Sequence, residues 1–445
     1  MTGPVKRLCE AVWKLEREFD LLSWEVEGVK VWQYQRTAVY QMLATALGIF
    51  EDGQDVQVAG AAEALRHGLM LVRGSIAKNP LLARGHVDAV VFEGGRSRLV
   101  DGKRITIHTH YLVQRLAAEG KRLLLLDRAW GGGHLKEPDP RRRYLDFFDL
   151  GSAVRSRLAP KRFGSADAEL VSRIERHFEL ETGARVSLRP TFERAVARFI
   201  SDHALHRHLF QRRRPRELYC VCAYGQLAPA IKAAKDCGAL TIELQHGVVS
   251  RYHLGYSFPG IPGGGLDYFP DRFYAWGEAW TRFMGSPIPA DRIVAYGYPY
   301  FEEQRRKLVG VAKIPGRLVV LSQGAIGRQL SEFLHAHSAA LARFDIVYRP
   351  HPGEAKRWRD YPGLRALSKQ KNVTIAPDGD LLRALAEAEY QIGVNSTALY
   401  EGIALGAKTI VVDLPGAEYL EDLLEDGTAV PFAQFLAQID GVTRA

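Results

Sequence analysis

Short apolar runs that alternate with segments of helical spacing constrain this chain more than any other feature of it. Arg122 to Leu126, Leu218 to Ala223, Ala239 to Leu244, Leu318 to Leu321, Asp345 to Tyr348, Tyr390 to Val394 and Thr409 to Val412 read as strands that are apolar on both faces. A strand solvated on one face alternates, whereas one apolar on both faces is covered on both, the mark of parallel sheet under helices. Between the strands, Thr109 to Glu119 and Leu227 to Cys237 carry helical spacing, as does the stripe of Ile326, Leu330, Phe333, Leu334 and Leu341. The chain has 445 residues, more than one core usually serves, so two α/β domains are expected.

The expected organisation is an N-terminal helical extension over 1–50, with helices at Lys6 to Phe19 and Arg36 to Leu47. A Rossmann-like acceptor domain over 51–308 and a Rossmann-like nucleotide-donor domain over 309–445 follow, joined between Glu302 and Pro315. Ser165 to Gly183 and Pro190 to Phe210 are expected to form a helical layer.

Composition narrows the class of protein. Hydrophobic residues make up 47% and charged residues 25%, ordinary globular values. No apolar run approaches the roughly 18 residues of a membrane span, and Met1 to Phe19 lacks the apolar centre of a signal peptide. The four cysteines show no CxxC pair or disulfide spacing, so a reducing, cytoplasmic setting is expected. The net charge is +9, and arginines concentrate from Arg141-Arg142-Arg143 through Arg155, Arg157, Lys161 and Arg162 to Arg212-Arg213-Arg214. Such a stretch is either a solvated basic face or an attraction to an anionic acceptor or to the inner membrane surface. Nothing resembles a zinc signature, a recognition helix or an aromatic-interleaved basic motif, so nucleic acid is not an expected partner.

Three motifs sit where strands hand over to loops or helices, the place where open α/β sheets bind ligands. Gln245-His246-Gly247 follows an apolar strand in the first half. Arg349-Pro350-His351-Pro352 follows one in the second half, with the imidazole pre-aimed between two prolines. Asn395-Ser396-Thr397 opens a helix whose free N–H groups and dipole favour an anion, and Glu401 lies on the same helical face, placed to accept from ribose hydroxyls. Ser322-Gln323-Gly324 is a weaker loop of the same kind. The expected nucleotide site is therefore Ser322, Gln323, Gly324, Arg349, His351, Pro352, Asn395, Ser396, Thr397 and Glu401. His246 is the leading general base, with Asp127 and Glu93 as alternatives; His108-Thr109-His110 lacks further ligands for a metal and reads as a helix start.

Together these residues resemble the GT-B glycosyltransferases of bacterial surface and capsular polysaccharide synthesis. His351-Pro352 resembles the HP motif of bacterial sialyltransferases and Kdo transferases, and Ser396-Thr397 is similar to their phosphate-binding helix start. Gln245-His246-Gly247 also resembles the His-Gly of teichoic-acid glycerophosphotransferases, and Trp32 with Arg36 resembles a segment of capsule-synthesis proteins. The resemblance implies an inverting transferase that moves a nonulosonic-acid or Kdo-type sugar from a CMP-linked donor to a glycan, lipid-linked or glycoprotein acceptor. No metal or further cofactor is implied, since one phosphate carries little charge and no DxD follows a strand. The acidic D/E-D/E-G base motif of such sialyltransferases has no well-placed match, because Glu51-Asp52-Gly53 is too early and Glu425-Asp426-Gly427 is in the other domain. Transfer of a polyol phosphate from CDP-glycerol and nucleotide-sugar 2-epimerisation are alternatives; a nucleic-acid-binding or scaffolding protein is the non-enzymatic one.

Overall fold

The structure, a computed structural model, describes residues 3–50, 61–129, 133–134, 137–158, 163–261, 265–280 and 285–443. Among these, seven strands form one sheet: β1 (Ala89–Phe92), β2 (Leu123–Asp127), β3 (Arg142–Tyr144), β4 (Glu217–Val221), β5 (Leu240–Leu244), β6 (Arg272–Ala275) and β7 (Ile293–Ala295). Six more form a second sheet: β8 (Ile314–Leu321), β9 (Asp345–Arg349), β10 (Val373–Ile375), β11 (Ala388–Gly393), β12 (Lys408–Val411) and β13 (Ala429–Pro431). Every pairing in both sheets is parallel.

The spatial orders are β7-β6-β5-β4-β1-β2-β3 and β10-β9-β8-β11-β12-β13. Each reverses direction beside its first strand, as a doubly wound Rossmann sheet does, and so has a switch point, β1/β4 in the first and β8/β11 in the second. The helix Pro299–Lys307 connects the two sheets. The chain thus has two Rossmann-like domains meeting at a cleft, the GT-B arrangement.

Local chemistry explains the unit that carries His246. β4 is filled by Leu218, Tyr219 and Cys220, all buried. The helix Ala228–Asp236 buries Ala230, Ile231, Ala233 and Ala234 and ends near Gly238, whose φ of +77° a side chain would strain. The turn delivers the chain into β5, which ends at Gln245-His246.

The N-terminal helices are not a separate appendage. Pro4–Phe19 and Val31–Ala46 share one apolar core with the helices Ser165–Thr182 and Arg189–Arg213 and with Tyr252, Leu254 and Tyr268. Glu16 ties them together: it accepts from Trp32 Nε1 at 2.7 Å and from Arg36 Nε at 2.5 Å, with Arg36 only 2% exposed. Arg36 also donates to the Leu254 carbonyl and stacks 3.9 Å from the Phe258 ring centroid. The helices reach the second domain too, through Val5 N–H donating to Glu418 Oε1 at 3.0 Å and Tyr40 paired with Tyr419 at 2.7 Å.

The arginine-rich stretch is not one free surface. Arg142 is buried in an ion pair with Glu93 and Arg213 is buried donating to the Gly85 carbonyl, whereas Arg155, Arg157, Arg212 and Arg214 are exposed. Lys161 and Arg162 lie outside the described residues, as does Glu51-Asp52-Gly53. No described helix is long and apolar enough to cross a membrane.

Candidate active site

In the second domain β8 lies between β9 and β11, so the loops after these strands are neighbours at the switch point. Ser322-Gln323-Gly324 follows β8, Pro350-His351-Pro352 follows β9, and Asn395-Ser396-Thr397 follows β11. A Cβ at Gly324 would stand 3.3 Å from His351 Nδ1, so the small residue lets the loops close on the imidazole. The Gly353 N–H donates to His351 Nδ1 at 3.2 Å. The ring proton of the neutral imidazole is therefore on Nε2, which is a donor. Burial lowers the His351 pKa, helped by the cations Arg96 and Arg98, so that donor is neutral rather than charged.

Two buried polar atoms here have no hydrogen-bond partner among the described residues, Ser322 Oγ and Asn395 Oδ1. Buried polar groups are ordinarily hydrogen-bonded, so both atoms are able to pair with a polar ligand. Ser396 is the N-cap of the helix Thr397–Ala404, its hydroxyl accepting from Ala398 N–H at 3.3 Å. Glu401, on the same helix, is pushed up to about 7 by burial, which Arg96 and Arg98 only partly offset. Pro352 is exposed and Gln323 half-buried at the rim. Arg349 is turned away from the role expected of it: its guanidinium donates to the carbonyls of Asp378 at 2.5 Å and Gly379 at 2.9 Å, bracing that loop.

In the first domain His246 follows β5 with 23% of its side chain exposed. Its Nδ1 lies 3.0 Å from the Tyr256 hydroxyl, which in turn donates to Glu243 Oε1 at 2.5 Å. The Ala223 N–H donates to the same carboxylate oxygen at 3.1 Å. Burial pushes His246 down to about 3, reinforced by His108, His253 and Arg96. Glu243 is fully buried and pushed up to about 7 by that burial, against the hydrogen bonds from Tyr256 and the backbone. On the other side of the imidazole, Tyr224 Oη lies 3.4 Å from Nε2.

The two alternative bases are engaged elsewhere. Glu93 is paired with Arg142, Nε to Oε2 at 2.5 Å and Nη2 to Oε1 at 3.0 Å. Asp127 binds His134 Nδ1 at 2.9 Å, and the other nitrogen of that ring binds Asp146 at 3.0 Å. Burial works against the charge on His134, yet the two carboxylates raise it to about 9, so Asp127 faces a cation. Glu93 and Asp127 end strands two and three places from β5, roughly 10 and 14 Å away at ordinary strand spacing. The structure brings neither to His246.

The domains meet at these loops. A Cβ at Gly247 would lie 3.6 Å from Thr397 Oγ1, so the His246 turn abuts the helix start of the other domain. Trp280 and Tyr400 meet across the same cleft, their ring centroids 4.2 Å apart and their planes tilted by 33°. Above β5, β6 and β7, a small cavity is lined by His108, Gln245, Trp276, Tyr296 and Tyr298. Trp276 and Tyr298 stack on each other at 4.3 Å, His108 lies parallel to both at 6.3 and 5.8 Å, and neither of its ring nitrogens has a partner among the described residues.

Several of these residues have signals in the sequence that go unused in a search for strand-end motifs. Glu243 is a lone carboxylate inside the apolar strand Leu240–Leu244. Arg96 and Arg98, which bear on His351 and Glu401, follow Glu93-Gly94-Gly95 on the hairpin Ser97–Val100/Lys103–Thr106.

No protein-family description and no curated protein sequence matches the chain. Solved structures with a similar course include the glycosyltransferase of kitacinnamycin, 16% identical over 77% of this chain and 85% of that one, with a TM-score of 0.43. The UDP-GlcNAc 2-epimerase from Methanocaldococcus jannaschii is 10% identical over 78% and 88%, at 0.42. SsfS6, a glycosyltransferase of Streptomyces sp. SF2575, is 13% identical over 79% and 89%, at 0.35. The GT-B assignment of this chain rests on its own strand orders.

Proposed function

We propose that this protein is an inverting glycosyltransferase that moves a sugar from a nucleotide-activated donor to an acceptor hydroxyl. The observation that carries the reading is the abutment of the His246 turn and the Thr397 helix start, which sets a neutral imidazole opposite an anion-binding edge. The donor phosphate lies at the C-terminal loops, met by His351 Nε2–H, the Ser322 and Thr397 hydroxyls and the first N–H groups of the helix Thr397–Ala404, with Glu401 beside the ribose. The acceptor enters over Trp276 and Tyr298. His246 Nε2 takes the hydroxyl proton while the acceptor oxygen bonds the anomeric carbon. The carbon–oxygen bond to phosphate breaks, and the nucleotide leaves with the electron pair. Base and leaving group stand on opposite domains, so attack comes from the face opposite departure and the anomeric centre inverts.

In this reading the donor is CMP-linked and its sugar of the nonulosonic-acid or Kdo type, as the His351-Pro352 resemblance implies, and no metal takes part. The acceptor is a glycan, lipid-linked or glycoprotein hydroxyl, reached in the cytoplasm at or near the inner membrane face. The experiment is incubation with CMP-, CDP- and UDP-activated donors, reading nucleotide release and product. CMP release with sugar transferred supports the reading. CDP-glycerol consumption replaces it with polyol-phosphate transfer, and conversion of a UDP-sugar without an acceptor replaces it with epimerisation.

A further inference from the structure

We propose that Glu243 and Tyr256 are positioning residues for His246, holding its proton on Nδ1 so that Nε2 is the nitrogen that accepts the acceptor's proton. The inference rests on the transfer reading above for its use, but its geometry stands apart from any substrate. Tyr256 has one hydroxyl proton and two neighbours that compete for it, Glu243 Oε1 at 2.5 Å and His246 Nδ1 at 3.0 Å. A carboxylate is the stronger acceptor and the shorter contact, so the proton is donated to Glu243. The Tyr256 oxygen then has lone pairs but no proton for the imidazole, and the only bond it can make at 3.0 Å is to accept from Nδ1–H. That leaves Nε2 with its lone pair and no strong donor, because Tyr224 Oη stands 3.4 Å away, at the far limit of a hydrogen bond.

The fold fixes each member. Glu243 is buried within β5, and the Ala223 N–H at the end of β4 holds its Oε1 in place at 3.1 Å. Tyr256 is 1% exposed and packs edge-on against Phe273 of β6, with ring centroids 5.5 Å apart. Its loop is anchored two residues away, where Arg36 donates to the Leu254 carbonyl. A buried carboxylate inside an apolar strand costs stability that its hydrogen bonds from Tyr256 and the Ala223 N–H only partly offset, and here it orients a base through a tyrosine.

The test reads the tautomer directly. Full-length protein labelled with ¹⁵N-histidine is examined by long-range ¹H–¹⁵N correlation at pH 8, the His246 signals being assigned by their loss in His246→Gln. The proposal expects an unprotonated Nε2 and a protonated Nδ1. Tyr256→Phe should shift the tautomer ratio about tenfold toward Nε2–H. Glu243→Gln, which keeps an acceptor oxygen, should leave Nδ1–H in the majority. A wild-type ring protonated on Nε2 overturns the proposal whether or not the variants fold, and so does a folded Tyr256→Phe protein with an unchanged ratio. Turnover in Tyr256→Phe should fall at least tenfold at unchanged nucleotide affinity. The expected tautomer without turnover on any activated donor would sink the transfer reading and leave the positioning role standing.

Discussion

Replacing Glu243 with glutamine should change how stability depends on pH, by an amount the site itself sets. The carboxyl is fully buried and its folded pKa is raised from 4.5 to about 7, chiefly by burial. A carboxyl with a raised folded pKa holds its proton in the native state over a range where the unfolded chain has released it. Stability is therefore full below about pH 4.5, falls as pH rises to about 7, and is constant above. At about 1.4 kcal/mol for each pKa unit, the loss across that window is about 3 kcal/mol. Glutamine stays neutral throughout and keeps an oxygen for Tyr256 and the Ala223 N–H. Its own uncompensated N–H groups, near the orphan Glu243 Oε2, cost about the same at every pH. The quantity to measure is thus the stability difference between Glu243→Gln and wild type, by urea unfolding at pH 5 and pH 8. It should move by about 2.5 kcal/mol in favour of glutamine at the higher pH, part of the window lying below pH 5, while groups common to both proteins cancel. A difference constant to within about 1 kcal/mol would refute the raised pKa of Glu243 and leave it an ionised acceptor for Tyr256 across that range.

His246→Ala should lower turnover by roughly 10²–10⁴ with nucleotide affinity nearly intact, whereas Asp127→Asn and Glu93→Gln should act on thermal stability; full turnover in His246→Ala with loss in either carboxylate variant would return the base to that acid. His351→Ala should weaken nucleotide binding by roughly 1–3 kcal/mol in calorimetry, through loss of the Nε2–H donor, and unchanged affinity would remove His351 from the donor site. Glu16→Ala should destabilise the fold by roughly 3–5 kcal/mol, because it strands the buried Arg36 guanidinium; a loss under 1 kcal/mol in urea unfolding would count against that knot. Binding to anionic liposomes, followed by co-sedimentation, should fall steeply with salt, and no binding at low ionic strength would reduce Arg155, Arg157, Arg212 and Arg214 to a solvated face.

The two-sheet architecture was legible because continuous apolar strands and helical spacing are backbone-level signals, and β4, β5, β8, β9, β11 and β12 fall where those signals do. The positions of His246, His351 and Ser396 were legible for the same reason, since a strand end fixes where a residue sits. Side-chain direction is another matter. Arg349, Glu93 and Asp127 all end strands, yet Arg349 braces the Asp378–Gly379 carbonyls, Glu93 holds Arg142 and Asp127 holds His134. A sequence gives each carboxylate the same appearance whether its partner is a substrate proton or a guanidinium brought from a distant strand. Glu243 was hidden for the opposite reason: it interrupts a hydrophobic pattern too briefly to disturb the strand, and Tyr256 reaches it only through the fold. Trp24 to Trp32 shows the limit of local propensity. The aromatic and β-branched run gives a two-residue hairpin, Glu25–Val26 with Val29–Lys30, and then yields to the helix Val31–Ala46, because Trp32 and Arg36 must share one helical face to reach Glu16.

The contacts of the first helices with Glu418 and Tyr419 mean that the two domains are moored to each other through the connecting helix Pro299–Lys307, from the chain's beginning, and across the cleft, where Arg251 pairs with Glu421 at 3.5 Å. A body hung from one point swings freely, but one held at several points moves only by breaking a contact. Phe50 carries the second mooring up to Gly416, where a Cβ would stand 3.6 Å from its ring and 2.4 Å from Asn395 Nδ2. Gly416 thus ties the start of the chain to the loop after β11, beside Asn395.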